Sequence, residues 1–98
     1  MPITGDQSEA GWLIRLEGEI SISSAAELKR LLIEALGSGR DSRVEVEHAT
    51  ELDVTALQLL WAAEREARGL GRGFTRVGRL PEEISVALGD AGFERFPI

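Results

Sequence analysis

The one histidine of the chain, His48, follows Glu47 directly and Glu45 by three positions, and three such groups close together are the raw material of a divalent metal site. The run Arg43-Val44-Glu45-Val46-Glu47 alternates charge with valine, however, so the two glutamates read as the wet face of a strand. No second histidine and no cysteine completes a ligand set. His48 also lacks a serine in a nucleophile-elbow context, which removes Ser-His-Asp hydrolysis. Gly69-Leu70-Gly71-Arg72-Gly73 has the look of a phosphate-cradling loop, but such a loop leaves a strand and opens a helix, whereas this one follows a helical pattern and enters a strand-like one. It reads as a cap and a turn. Arg68, Arg72, Arg76 and Arg79 have no acid between them, yet a charge run beside turns reads as a solvated surface. These readings leave no catalytic residue, metal or cofactor, and they point to recognition at the surface.

A chain of 98 residues without cysteine has room for one small domain, residues 1–98, and no disulfide framework. The net charge of -6 is concentrated in residues 41–68, where seven acids face three bases, so nucleic acid and anionic membrane are unfavoured partners. The longest apolar run, Leu59 to Ala63, is far too short for a membrane span, and the first residues lack the basic and apolar regions of a signal peptide. The expectation is a cytoplasmic protein with no direct membrane insertion.

Apolar periodicity arranges the elements in the order β-β-α-β-α-β-α. Pro2-Ile3-Thr4 and Trp12 to Leu16 form a hairpin across a polar turn from Gly5 to Gly11. Ser24-Ala25-Ala26-Glu27 fits a capping box ahead of a helix with Leu28, Leu31, Leu32, Ala35 and Leu36 on one face, closed by Gly37 and Gly39. The alternating strand around Val44 and Val46 follows. Asp53 caps a second helix, Val54 to Arg68, which ends at Gly69 with Leu70 closing the cap. Gly73 to Val77 is a last strand, and Pro81, at a first helical position, starts a third helix ended by Gly89 or Gly92, after which Phe93 and Phe96 fold back as plugs. Parallel strand-helix-strand steps joined to an antiparallel hairpin give a four-stranded mixed α/β sheet, and its alternating strand places the helices mainly on one face.

On the second helix, Ala56, Leu57, Leu60, Ala63 and Ala67 share the arc that must face the sheet, while Val54, Gln58, Trp61 and Arg65 lie opposite. An exposed tryptophan beside an arginine is the mixture enriched at binding hot spots. A tryptophan leaning sideways into the core is the equal alternative.

Leu16-Glu17-Gly18-Glu19-Ile20 resembles the L-x-G-E-L/I opening of the STAS domain, the fold of bacterial anti-sigma factor antagonists. Leu52-Asp53-Val54-Thr55-Ala56-Leu57 resembles that family's I-D-S-S/T-G-L motif, and Leu88-Gly89-Asp90-Ala91-Gly92-Phe93 is similar to its closing segment. The resemblance implies a non-catalytic module for signal transduction and the regulation of transcription. It would bind a kinase-type anti-sigma factor or a related signalling protein through Asp53, Val54, Thr55, Gln58, Trp61 and Arg65. In the family, phosphorylation of the hydroxyl residue just after the aspartate controls binding. Here that residue is Val54, which has no hydroxyl, and Thr55 is the one remaining candidate. Acceptor-poor relatives imply other roles: chemotaxis-like clusters, accessory subunits of ABC-type lipid transporters, or sensors of nucleotides or lipids. A second copy of the chain is a further admissible partner.

Overall fold

The computed structural model describes residues 3–8, 11–93 and 95–98. In chain order the elements are β1 (Ile3–Ser8), β2 (Gly11–Leu16), β3 (Gly18–Ile20), α1 (Ala25–Gly37), β4 (Ser42–Glu45), β5 (Ala49–Leu52), α2 (Val54–Gly69), β6 (Phe74–Val77) and α3 (Glu82–Asp90). A four-stranded sheet runs β1-β2-β4-β6, antiparallel between β1 and β2 and parallel elsewhere. This is the mixed sheet that the order of elements predicts. Two short strands are additional: β3 and β5 pair with each other in parallel, beyond the ends of β2 and β4.

The hairpin is longer than its apolar residues suggest. Ile3 pairs with Leu16 and Ser8 with Gly11, so Gly5 to Ser8, expected in the turn, lie in β1 instead. Backbone pairing along an edge strand makes no demand for apolar side chains, and the polar sequence concealed it. Pro2, Glu9 and Ala10, assigned to the predicted strand and turn, lie outside the described residues.

The sheet is dry on one side only. Ile14, Leu16, Val44, Val46 and Phe74 are buried with Leu28, Leu31 and Leu32 of α1 and Ala56, Leu60 and Ala63 of α2. Arg15, Arg43 and Glu45, one residue out of phase, are not, and Arg15 forms ion pairs with Asp6 and Glu45 across the open face. Glu45 is thus half-buried and paired, while Glu47 is exposed.

Three helix ends differ from their sequence patterns. Ser24 makes no capping bond through its side chain, because a 3-10 turn over Ile22–Ser24 carries it into helical geometry (φ -92°, ψ -6°), where its hydroxyl cannot turn back to the amides. Glu27 pairs with Arg30 instead, and that hydrogen bond holds its carboxyl below the usual range. The second helix extends through Gly69, and the left-handed residue is Gly71 (φ +70°). The Arg72 N–H donates to the Ala67 carbonyl at 2.9 Å and the Gly71 N–H to that of Arg68 at 3.2 Å, a Schellman closure. Leu70 takes part through its backbone, while its side chain stays 49% exposed. Pro81 sits at the cap itself, one residue before α3.

At the N-terminal ends of the parallel strands, three segments meet on Asp41. Its carbonyl accepts from Trp12 N–H at 3.0 Å and its Oδ1 from Gly73 N–H at 2.8 Å, while Ser42 N–H donates to the Gly73 carbonyl at 2.9 Å. Gly11 adopts φ +117° here, and a Cβ on it would lie 2.2 Å from the Asp41 carbonyl oxygen. Gly11→Ala should therefore cost at least ~2 kcal/mol, read as a lower urea midpoint at unchanged slope. Gly37→Ala, at the end of α1 with nothing near its added methyl, should be neutral or stabilising.

Candidate protein interface

The opposite end of the sheet is where the β3–β5 ladder delivers the chain into α2. The Asp53 N–H donates to the Ile20 carbonyl at 2.8 Å, which holds residue 53 extended (φ -65°, ψ 152°). From that geometry its carboxylate accepts from the Thr55 N–H at 2.9 Å, the N-cap expected from the sequence. The cap also places a negative charge at the positive pole of the helix.

The six residues singled out on this helix fall in different environments. Val54 is 45% exposed on the first turn, and Gln58 and Arg65 are exposed along the same face. Thr55 is half-buried and lies about 100° around the helix from Val54. Trp61 is half-buried, and its indole nitrogen is enclosed without a hydrogen-bond partner. The Arg95 guanidinium stacks over its ring at 4.5 Å, so the C-terminal segment covers part of the residue. Trp61 thus belongs with neither pure alternative: it is a tryptophan partly roofed by a cation from the end of the chain. Phe96 is buried and Phe93 packs against the core, as plugs.

The structure adds a wall that the sequence pattern of α2 does not show. Val54 and Leu57 form one side of a groove of about 330 Å³ whose other side is Ile84, Ala87 and Leu88 of α3. Glu51 and Glu83 also line it, and among the described residues no lysine or arginine does so. The cue lay in α3 itself, where burying Ile84 and Leu88 leaves Glu83 and Ala87 beside them on the helix surface. His48 is exposed and is not among the residues lining the groove, and among the described residues no cluster of metal-ligating side chains occurs. No helix among them is long and apolar enough to cross a membrane. Arg68 is paired with Glu64, which reduces the arginine run further.

The fold has known counterparts. The unphosphorylated anti-sigma factor antagonist SpoIIAA superposes with a TM-score of 0.73 at 15% identity, covering 93% of this chain and 84% of that one. A putative anti-sigma factor antagonist from Thermotoga maritima gives 0.74 at 14% identity, covering 91% of this chain and 77% of that one. A variant of RsbS from Moorella thermoacetica gives 0.73 at 19% identity, covering 96% and 80%. No curated protein matches the sequence. The family model described as "Mlab, STAS domain" matches residues 3–94, nearly the whole chain, and the protein therefore belongs to the STAS domain family.

Proposed function

We propose that this STAS domain is a regulatory binding module, without catalysis of its own, that takes a protein partner on the first turn and outer face of α2. The observation that carries the reading is Val54. An apolar side chain stands 45% exposed beside the capped start of a helix, where it continues into the apolar side of the groove against α3. Exposed apolar surface bordered by polar groups is what a protein interface requires. The partner surface then comprises Asp53, Val54, Gln58 and Arg65, with Glu83 and Ala87 on the second wall and Trp61 contributing only the part of its ring that Arg95 leaves open. A kinase-type anti-sigma factor or a related signalling protein fits this reading. Glu51 and Glu83 on the groove repel phosphates, which weighs against a nucleotide sensor.

Valine at the position after the aspartate makes the contact constitutive. A phosphate on Thr55 would point away from Val54 and lie beside the Asp53 carboxylate, whose acceptor bond to the Thr55 amide already neutralises the helix start. Val54→Asp should abolish partner capture while leaving the circular-dichroism spectrum unchanged. Thr55→Ala should leave affinity within about threefold, since the hydroxyl lies off the contact. Capture from the native host, compared between wild type and Val54→Asp, tests the reading. Equal capture by both, or stoichiometric phosphate on Thr55 that switches binding, would overturn it. The cap is testable separately: Asp53→Ala should lower stability by about 1 kcal/mol in urea, and Asp53→Asn should recover most of it, because asparagine caps nearly as well.

A further inference from the structure

A second apolar surface lies on the other flank of α2. Because α1 and α2 each return the chain between parallel strands, they run side by side in the same direction. Leu32, Ile33 and Leu36 of α1 and Leu59, Ala62 and Ala63 of α2 line a trough of about 130 Å³ between them. It continues over Gly37 to Leu70. Ile33 is 60% exposed at its rim and Leu70 is 49% exposed at its end.

Two charges border this trough, Lys29 beside its start and Glu66 beside its finish. Each helix lines the trough over seven residue steps, Lys29 to Leu36 and Leu59 to Glu66, about 10 Å at 1.5 Å per residue, so the two charges stand at opposite ends of it on different helices. Neighbouring charges are satisfied locally: Arg30 pairs with Glu27 and Glu34, and Arg68 with Glu64. Lys29 and Glu66 form no ion pair among the described residues. A surface with one cation and one anion at diagonal corners of an apolar patch is complementary to itself. A two-fold axis crossing the patch between them brings Lys29 of each copy onto Glu66 of the other and closes the apolar rims together.

We propose that the occupant of the α1/α2 trough is a second copy of this chain, in a two-fold dimer held by Ile33, Leu36 and Leu70 and keyed by reciprocal Lys29–Glu66 pairs. Glu66 lies roughly 120° around α2 from Val54, so the dimer leaves the Val54 surface free and does not depend on it. An apolar strip confined to a trough of about 130 Å³ and its rims makes the association weak and concentration-dependent.

Sedimentation equilibrium of the full chain from about 10 µM to about 1 mM reads the association directly. The expected result is a monomer–dimer equilibrium that Ile33→Asp removes. Lys29→Glu and Glu66→Lys, each alone, should raise the dissociation constant at least about tenfold, and mixing the two variants should restore a heterodimer whose pairs are again opposite in sign. Circular dichroism verifies that each variant is folded, and Val54→Asp should leave the dimer intact even if partner capture is lost. A wild-type monomer across the whole range overturns the proposal, as does a dimer indifferent to Ile33→Asp or a mixture that fails to restore association. If the wild type is monomeric and Ile33→Asp instead abolishes partner capture, the trough belongs to that partner and the dimer is refuted.

Discussion

The hydrogen bond from the Asp53 amide to the Ile20 carbonyl is the constraint on which the functional end of the molecule rests. Without it, residue 53 would be free to continue the helix backwards, and a helical residue cannot aim its side chain at the amides ahead of it. With it, one residue ends a strand, caps α2 and sets the direction in which the helix leaves the sheet. The direction then decides the rest. Leu57 and Leu60 turn into the core, Val54 turns out, and the first turn of α2 stands against α3 to form the groove. The bond is long-range, joining the last residue of β3 to the residue that follows β5, so the helix start is only as well defined as the β3–β5 pairing.

The same locality explains what could and could not be read from the sequence. The alternation of Val44 and Val46 with Glu45 and Glu47 carries its own solution, because a slip by one residue would bury carboxylates in the core. Asp53 was legible as a cap since its bond reaches only two residues ahead. In contrast, Gly18–Ile20 and Ala49–Leu52 are too short to show a period of two, and each is a strand only by virtue of the other. Ser24 had the composition of a cap, but the 3-10 turn before it consumed the geometry. Arg95 over Trp61 joins residues far apart in sequence, and no pattern within α2 announces it. The candidate surface was therefore legible as a helix face and illegible as a groove, because its second wall comes from another helix.

Alanine at positions 56, 63 and 67 gives α2 its particular use. All three are buried, and side chains this small allow the helix to settle close to the sheet and to α1. Larger residues on that stripe would lift the helix and leave both flanks of it ill-defined. Held close, α2 presents three distinct strips: a dry one toward the sheet, one toward α3 that begins at Val54, and one toward α1 that ends at Glu66. Separate strips on one rigid helix let two contacts form without competing for the same residues.

The stacking of Arg95 on Trp61 also equips the protein with its own optical gauge. The chain has two tryptophans, and they sit in unlike settings. Trp12 lies near Gly5 and Leu31, where β1, β2 and α1 meet, so its emission follows the packing of the sheet against that helix. Trp61 lies under a guanidinium contributed by the last residues of the chain, so its emission follows the seating of that segment. With Trp12 replaced by phenylalanine, light from the remaining indole would follow the terminal segment as it lifts or settles, with no dye attached.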